Sequence, residues 1–592
     1  MELVPGIKQA VQSVLANNYQ FQVKIQDILV NETKPEFTGD YTVVLFSFSK
    51  TLKTSPDELG QSLGESLLAL KPDLFAGFNV IKGFLNLVLT DGILLDFLNS
   101  NYQNPLYGFS PANGRKVMVE YSSPNTNKPL HLGHLRNNFL GWTVAALYKA
   151  CGYDIVKTCI ANDRGIHICK SMVAWQLYAD GATPESTGIK GDHFVGDFYV
   201  LFGNELKKQV ASLMDSGMIK ELAEKEAPLM KAAQQMLVDW EAGKTEVIEL
   251  WEKMNSWVYA GFDITYKRIG SDFDRVYYES QTYLLGKKLV VSGLGKKVFF
   301  EKPDGSVWID LTSDGLDEKI VMRSDGTAVY ITQDIGLAVE KFDQYHADLS
   351  IYVVADEQNY HFKVLKLICQ KLQMPSAAGI YHLSYGLVEL PSGRMKTREG
   401  TVVDADDIIE EMTGIAAKHT EALGKVPDFN EAERNELYDT IGLGALKFFL
   451  LRVDPKKRMV FNPDESIDFH GYTGPFIQYT YARIKSILRK ESLGKFSEAP
   501  HLPLFPLEKE LILALEKFDE LLQLACTEMN PSQVANYVFN IAKVFNSFYS
   551  EHSVSRAESE NKKQLRLRIC VMTAHIIQSA MGLLGIRVPE RM

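Results

Sequence analysis

Hydrophobic and polar positions divide the chain into three parts with different periodicities. The first part, residues 1–112, mixes apolar residues at helical spacing with short alternating runs, which is typical of an α+β domain. The pattern predicts helices over Leu3–Asn18 and Glu58–Leu70, strands over Phe21–Val30 and Asp40–Phe48, and a strand pair across Asn79–Leu89 that turns at Lys82 and Gly83.

The second part, residues 113–427, alternates buried strand-like runs with helical spacing. A strand at Val117–Val119, a helix over Leu135–Cys151, a strand over Asp154–Ile160 and a further helix form a βαβ unit. Such units give a parallel sheet with right-handed crossovers, and ligands bind beyond the carboxyl ends of its strands. A second half is predicted downstream, where Thr327–Gly336 is a strand that runs into a helix and Leu349–Ala355 is a buried parallel strand. We therefore expect a Rossmann-like α/β domain.

The remaining patterns predict a helical insertion, three turns and a helical bundle. Residues of about 203–261 are highly charged at helical spacing, which predicts a helical insertion with solvated faces. Turns are predicted at Lys302–Gly305, at Arg323–Gly326 and, between apolar residues, at Val291–Lys296. The third part, residues 428–592, predicts an all-helical bundle with helices over Leu437–Leu451, Tyr479–Leu493, Leu507–Cys526 and Ser532–His552.

Composition narrows the class of protein. The 592 residues are 46% hydrophobic and 23% charged, which is typical of a globular protein. The N-terminus has no secretory pattern, and no apolar run is long enough to span a membrane. The net charge is −11, yet from Ile441 onward basic residues exceed acidic ones by four. A local polyanion-binding surface and a chance asymmetry explain this distribution equally well. Six scattered cysteines, without metal-site spacing, predict reduced thiols, a cytoplasmic protein and no structural metal: Cys151, Cys159, Cys169, Cys369, Cys526 and Cys570.

The candidate chemistry is concentrated at Tyr121–Gly141, where His131, Gly133 and His134 fall between a strand and a helix. Unpaired N–H groups at a helix N-terminus suit phosphate, and glycine allows a close approach of the ligand to the backbone. Imidazole N–H groups can stabilise charge that builds on phosphoryl oxygens. The alternative interpretation is that both histidines only cap the helix.

The stretch SPN-x-x-K-P-x-H-x-G-H-x-R resembles the HIGH signature of class I aminoacyl-tRNA synthetases, and its flank resembles the arginyl family in particular. Three other segments resemble that family. Ala161–Gly165 is similar to its N-D-x-G segment, Gly393–Gly400 to its KMSKS loop, and Gly474–Arg483, with the ending GIRVPERM, to its DALR-type anticodon-binding bundle.

The resemblance implies a reaction and a set of site residues. It implies activation of L-arginine with ATP and Mg²⁺ to arginyl-adenylate, release of pyrophosphate, and transfer of arginine to the 3′ end of tRNA(Arg). It also implies that the N-terminal domain touches the tRNA body; the alternative is that it is a packing domain. DNA and membranes are not expected partners, and we expect a monomer. The implied residues are His131, His134, Lys128, Arg394, Lys396 and Arg398 for catalysis; Gly133 and Met395, with both histidines, for ATP; Ser123, Asn125, Glu279, Tyr330, Asp334 and Gln358 for arginine; and Gln478, Tyr479 and Arg483 for tRNA.

One departure from the family concerns the basic loop. Its second basic slot is the neutral Thr397, and its first slot is Arg394. Arginyl enzymes that lack the loop lysine have a lysine just before the HIGH signature, and Lys128 holds that position here. The division of phosphate contacts among Lys128, Arg394, Lys396 and Arg398 stays open.

Two other functions are compatible with parts of the sequence, and one segment mimics a nucleotide-binding motif. A nucleotidylyltransferase shares His-x-Gly-His and the sheet but does not need the helical bundle, and a non-catalytic tRNA-binding paralogue would be expected to lose the histidines or the pocket acids. Ile441–Ala445 mimics the start of a dinucleotide fingerprint, but no strand precedes it and it lacks the third glycine.

Overall fold

The computed structural model describes residues 3–389, 391, 403–422, 428–494 and 502–592. The first part of the chain is an antiparallel sheet in the order β1-β2-β4-β3, with helices packed against it. Its elements are α1 (Leu3–Tyr19), β1 (Val30–Glu32), β2 (Tyr41–Val44), α2 (Phe46–Leu52), α3 (Pro56–Leu70), β3 (Phe75–Ile81), β4 (Phe84–Leu89) and α4 (Asp91–Asn101). The predicted hairpin at Lys82 and Gly83 is confirmed, since β3 and β4 pair on either side of it.

Two of the predicted N-terminal strands are wrong in extent. Phe21–Val30 is irregular with one 3-10 turn, because β1 finds a partner strand only from Val30 onward. Asp40–Phe48 is extended only as far as Val44, and the chain then enters α2. Leu45, Phe48 and Ser49 are buried at three-to-four-residue spacing, which is the period of a helix.

The central sheet has five strands in the order β12-β11-β5-β6-β7, and its four pairings are all parallel. The predicted βαβ unit is confirmed as β5-α5-β6. A run of helices follows it and leads into β7, one of the two edge strands. The elements are β5 (Lys116–Glu120), α5 (Leu132–Ala150), β6 (Asp154–Ala161), α6 (Ile166–Tyr178), α7 (Pro184–Thr187), α8 (Gly191–Asp215), α9 (Lys220–Glu226), α10 (Pro228–Glu241), α11 (Thr245–Ile269) and β7 (Arg275–Tyr278).

The second half of this domain carries a small antiparallel sheet, β10-β9-β8, and the two remaining central strands. The elements are α12 (Glu279–Thr282), α13 (Lys287–Gly295), β8 (Phe300–Glu301), β9 (Val307–Ile309), β10 (Lys319–Met322), α14 (Tyr330–Tyr345), β11 (Leu349–Ala355), α15 (Asn359–Lys371), β12 (Ile380–Tyr385) and β13 (Val388–Glu389). The strand predicted at Leu349–Ala355 is β11 and lies in the parallel sheet as expected.

Two predictions in this half are corrected. Thr327–Gly336 contributes one isolated bridge, Met322 with Ala328, and α14 begins at Tyr330, so the second βαβ unit is β11-α15-β12. The segment predicted as a turn at Val291–Lys296 belongs mostly to α13. Gly293 serves close packing there, because a Cβ on it would lie 2.3 Å from the ring of Phe299.

The last part of the chain is helical, as predicted. Its elements are α16 (Ala405–Ala422), α17 (Glu431–Leu451), β14 (Met459–Val460), α18 (Pro463–Ser466), α19 (Gly474–Lys490), α20 (Pro506–Glu516), α21 (Phe518–Thr527), α22 (Pro531–Glu551) and α23 (Glu560–Leu583). A buried ion cluster joins α20 to α23, where the carboxylate of Glu508 accepts hydrogen bonds from Lys562 and Arg566. No helix in the described ranges is long and apolar enough to cross a membrane.

Candidate active site

The chain bends sharply after β5, and this bend brings the next residues over the sheet. Ser122 and Ser123 both have positive φ, at 75° and 48°. That conformation costs an L-residue about 1–2 kcal/mol each, so neighbouring contacts must hold it. The side chain of Asn137 accepts a hydrogen bond from the N–H of Ser122 and donates one to the carbonyl of Val353, at 2.7 Å. Helix α5 is thereby tied to the carboxyl ends of two strands.

His131 and His134 form a reciprocal cap at the start of α5. His131 is the N-cap residue, and its Nδ1 accepts a hydrogen bond from the N–H of Gly133 at 3.1 Å. Nδ1 of His134 accepts from the N–H of His131, also at 3.1 Å. Because each Nδ1 is an acceptor, a neutral ring carries its proton on Nε2. The capping interpretation and the phosphate interpretation are therefore compatible, since one nitrogen caps the helix and the other is an N–H donor.

The electrostatics keep both rings neutral. Burial, with a smaller contribution from the charge of Lys128, lowers the pKa of His131 to about 3. The pKa of His134 is also held well below its usual value, mainly by burial. Burial lowers the pKa of Lys128 as well. The two imidazoles, whose ring centroids are 4.0 Å apart, thus act as uncharged hydrogen-bond donors next to a lysine ammonium.

Gly133 leaves room for the His131 ring in this turn. A Cβ at that position would lie 3.0 Å from Cε1 of the His131 ring. A larger residue would therefore push the imidazole away from the helix end. The basic stretch that resembles the KMSKS loop, with Arg394, Met395, Lys396, Thr397 and Arg398, lies outside the described residues.

A cavity of about 790 Å³ lies beyond the carboxyl ends of β6 and β7. It brings together three residues that the resemblance implied for arginine: Asn125, Glu279 and Tyr330. Glu279 begins α12, and burial raises the pKa of its carboxyl to about 7, with Arg164 opposing and Asp163 adding to the shift. Tyr330 begins α14 and is 75% exposed. The cavity is therefore an open pocket whose wall carries both acidic and basic side chains, with the carboxyl of Glu279 among them.

The other residues implied for arginine do not belong to the wall of this cavity. Asp334 lies one turn along α14 from Tyr330, and its carboxylate contacts Nε2 of His361 at 2.6 Å. It is close enough to Glu279 to add to the rise of that carboxyl's pKa. Ser123 lies in the bend after β5, and Gln358 is exposed in the turn that follows β11. The six residues implied for arginine thus come from four separate segments, and three of them line the cavity.

Sequence reasoning assigned no individual roles to two residues of the N-D-x-G segment that the structure makes central. Asp163 is buried and accepts hydrogen bonds from the N–H and Oγ of Ser280, at 2.8 and 2.7 Å. Its contact fixes the start of α12, and therefore the position of Glu279. Arg164 stacks on the ring of Tyr283, 3.9 Å from its centroid, and pairs with Glu241 at 2.9 Å. The sequence signals that could have identified these two residues were the resemblance to the N-D-x-G segment and its position directly after β6.

Arg136, the arginine of the H-x-G-H-x-R motif, also has a structural role. Its guanidinium is fully buried and donates to the carbonyls of Pro455 and Lys457, at 3.2 and 2.9 Å. Those carbonyls lie in the connection between α17 and β14. Arg136 thus fixes α5 to the segment that leads into the C-terminal helices.

The three residues implied for tRNA binding differ in their surroundings. Gln478 is fully buried, and its amide donates to the carbonyls of Thr440 and Arg587, at 3.0 and 2.8 Å, so this structure gives it a packing role and the predicted RNA contact is not supported. Tyr479 and Arg483 are half-buried, and the guanidinium of Arg483 lies 4.8 Å from the Tyr479 ring centroid and 5.5 Å from that of Tyr549. An aromatic and cationic patch therefore exists beside Gln478.

A parallel sheet with a histidine-capped helix beyond its central strand, followed by a helical bundle, is the arrangement of class I aminoacyl-tRNA synthetases. Comparison with known families agrees with this arrangement. Residues 99–462 match the family described as "tRNA synthetases class I (R), catalytic domain", residues 477–592 the "DALR anticodon binding domain" and residues 5–89 the "Arginyl tRNA synthetase N terminal domain".

The relatives agree along the whole chain. The arginine–tRNA ligase of Parabacteroides distasonis is 51% identical over 596 residues, covering 100% of this chain and 98% of its own length. That of Flavobacterium psychrophilum is 51% identical and covers 100% and 99%. The arginyl-tRNA synthetase structure from Thermus thermophilus superposes with a TM-score of 0.82 at 25% identity and covers 99% of both chains. The chain belongs to the arginine-specific family of class I tRNA synthetases, a family of ATP-dependent enzymes.

Proposed function

We propose that this enzyme joins L-arginine to the 3′ end of tRNA(Arg) in two steps. In the first step, the arginine carboxylate attacks the α-phosphorus of ATP, the bond to the β-phosphate oxygen breaks, and pyrophosphate leaves. In the second step, a ribose hydroxyl of the tRNA attacks the activated carbonyl, and AMP leaves. The observation that carries this proposal is the pair of neutral Nε2–H imidazoles at the start of α5, near a cavity that holds the carboxyl of Glu279.

The histidine turn supplies the charge stabilisation that the first step requires. Phosphoryl transfer needs positioning and positive electrostatic potential more than a protein nucleophile. The Nε2–H groups of His131 and His134 donate to the α-phosphate as negative charge builds on it, and Gly133 admits the nucleotide to the backbone. Lys128 supplies a cation beside them, together with Arg394, Lys396 and Arg398 from the basic stretch. Mg²⁺ enters with ATP and neutralises charge on the β- and γ-phosphates.

The carboxyl of Glu279 in the cavity wall supports arginine as the amino acid. A guanidinium is planar and permanently charged, and carboxylates bind it through paired hydrogen bonds. Glu279 and Asp334 supply those carboxylates, and Tyr330 forms a wall of the pocket. Asn125, Ser123 and Gln358 bind the amino-acid end of the substrate. Relatives about half identical in sequence carry the name arginine–tRNA ligase, which supports the same specificity.

The remaining expectations belong to this proposal. Tyr479 and Arg483 contribute stacking and charge to the tRNA surface of the helical bundle. Met395 belongs to the residues proposed for ATP binding. We propose domain limits of 1–112, 113–427 and 428–592; β5 begins four residues after the first limit. We propose a monomer. We also propose a cytoplasmic location, and the six free, buried cysteines agree with a reducing compartment.

Pyrophosphate exchange into ATP, measured with each standard amino acid in the presence and absence of cognate tRNA, tests the proposal. We expect arginine alone to stimulate exchange, and only when tRNA is present. Stimulation by another amino acid would overturn the specificity. Exchange with arginine and no RNA would overturn the tRNA requirement alone, and exchange without any amino acid would favour a nucleotidylyltransferase.

A further inference from the structure

A cluster of charged side chains joins the helical insertion to the start of α16. The ammonium of Lys190, the N-cap residue of α8, donates to a carboxylate oxygen of Asp192 at 3.0 Å and to one of Asp406 at 2.6 Å. It also donates to the hydroxyl of Thr265 on α11, at 2.6 Å. That hydroxyl in turn donates to the second oxygen of Asp406, at 3.0 Å. Three helices therefore meet around one ammonium.

The cluster is enclosed and tightly packed. Asp192 has no exposed surface, while the side chains of Lys190 and Asp406 are 19% and 21% exposed. Nε2 of His193 lies 3.0 Å from Asp406 and 3.5 Å from Asp404. Burial disfavours the charge on Asp406, but hydrogen bonds from His193 and Lys190 outweigh it and hold the pKa of that carboxyl below its usual value. Asp406 is therefore an anion that depends on its cationic partners.

Asp192, His193 and Asp406 form the single group in the described ranges whose side chains could together ligate a metal. The ammonium of Lys190 already bonds both carboxylates of that group. A protein cation thus supplies the positive charge. The cluster is an ion-pair network between helices.

The segment held by this cluster pairs with the histidine turn. The N–H of Ala405 donates to the carbonyl of Leu130 at 3.0 Å, and the N–H of Leu132 donates to the carbonyl of Val403 at 3.4 Å. His131 and Asp404 consequently form an antiparallel bridge. Residues 403–406 are therefore the backbone neighbour of His131 on one side.

Helix α8 approaches the same turn from another side. A Cβ on Gly196 would lie 2.8 Å from Cδ of Pro129, so the helix packs directly on the residue that follows Lys128. A Cβ on Gly261 of α11 would lie 2.2 Å from Asp192, which shows how closely the two insertion helices cross. The cluster and the histidine turn are thus connected through packed backbone on both sides.

We propose that Lys190 and Asp406 are positioning residues for arginine activation. The ion pair fixes residues 403–406 against the helical insertion, and their backbone pairing fixes the N-cap geometry of His131. The imidazole donors then meet the α-phosphate in the orientation that the transition state requires. Because these donors act most strongly in the transition state, loosening the pair lowers kcat and leaves the arginine KM nearly unchanged. This inference rests on the proposed function.

Lys190→Met tests the inference, because methionine keeps much of the side-chain volume and removes the charge. The full-length variant is assayed for single-turnover adenylate formation with ATP, arginine and cognate tRNA, together with its melting temperature. We expect the rate to fall about tenfold or more, since small misplacement of catalytic groups costs up to about 10²-fold. The arginine KM should stay within about a factor of two, as expected for a contact felt only in the transition state.

Four further variants show whether the lost contact is the cause of the lower rate. Lys190→Arg should recover most of the rate. Asp406→Asn should lower the rate like Lys190→Met, and the double variant should be no slower than the slower single one, because both remove the same contact. Lys208→Met is the matched control on the same helix, since its pair with Glu205 is exposed, and its rate should equal that of the wild type.

Several outcomes would overturn the inference. They are a wild-type rate in Lys190→Met, a rise in the arginine KM that accounts for the lost kcat/KM, or losses that add in the double variant. If Lys190→Met does not fold, Thr265→Val, which removes the hydroxyl shared by both charges, must show the same fall in kcat at constant KM. Failure of the proposed function is separate, because the wild-type enzyme itself would then form no adenylate with arginine.

Discussion

The arginine KM should depend on pH through Glu279. Burial raises the pKa of this carboxyl to about 7. A guanidinium binds the ionised carboxylate, so below that pKa a proton must leave before arginine binds. Ionised Glu279 rises from about one eleventh of the enzyme at pH 6 to about ten elevenths at pH 8. The KM for arginine should therefore fall about tenfold as the pH rises across that interval.

Neighbouring charges allow this assignment to be tested in both directions. Arg164 lowers the pKa of Glu279, so Arg164→Met should move the KM profile to higher pH. Asp334 raises that pKa, so Asp334→Asn should move the profile to lower pH, in addition to weakening arginine. Opposite shifts from two residues would identify Glu279 as the titrating group.

The assay is aminoacylation at saturating ATP and tRNA, with arginine varied at each pH. Glu279→Gln is the matched control, because an amide keeps the shape and cannot titrate. Its KM should be independent of pH and higher than that of the wild type by roughly 30- to 4,000-fold, the equivalent of about 2–5 kcal/mol for a buried charged hydrogen bond. Calorimetry in two buffers should also show proton release when arginine binds the wild type below pH 7. A wild-type KM that is constant between pH 6 and 8 would refute the argument.

Three other substitutions test the remaining parts of the site. Lys128→Ala should lower the rate of adenylate formation by about 10²-fold or more, and adding Thr397→Lys should restore part of that rate. A wild-type rate in Lys128→Ala would instead assign the phosphate contacts to Arg394, Lys396 and Arg398. Gly133→Ala should lower kcat at nearly constant arginine KM, because its Cβ displaces the His131 ring; unchanged kcat would show that the ring can move without loss. Arg483→Ala should raise the KM for tRNA and make that KM less dependent on salt, while kcat at saturating tRNA stays unchanged. An unaltered KM for tRNA would show that Arg483 does not contact the tRNA.

The parallel sheet could be predicted from the sequence because its strands are buried on both faces. Leu349–Ala355 is a largely apolar run, and β11 has these same limits in the structure. Short strands at the edge of a sheet give a weaker signal. In Phe21–Val30 the residues alternate as in a strand, but Ile25 and Leu29 are 41% and 57% exposed, and pairing begins only at Val30. Alternation alone does not specify a partner strand.

The histidine turn was predictable because all of its parts are local in sequence. His131, Gly133 and His134 lie within four residues, and their hydrogen bonds close within that turn. The contacts of Lys190 with Asp406 and of Arg136 with Lys457 join residues that are 216 and 321 positions apart. No periodicity or spacing within the chain reports such contacts. They depend on how helices cross after the fold has formed.

Glycines show why a motif must be judged by its place in the fold. Gly133, at a strand-to-helix turn, has the ring of His131 above it, so its missing side chain makes room for the imidazole that caps the helix. Gly442 and Gly444, in the sequence that mimics a dinucleotide fingerprint, lie in the middle of α17. A Cβ on Gly442 would lie 2.9 Å from the backbone of Thr413 on α16, and one on Gly444 would lie 2.5 Å from the amide of Gln478 on α19. The same residue type therefore makes room for an imidazole cap at one site and for close helix packing at the other, and the preceding strand is the feature that distinguishes them.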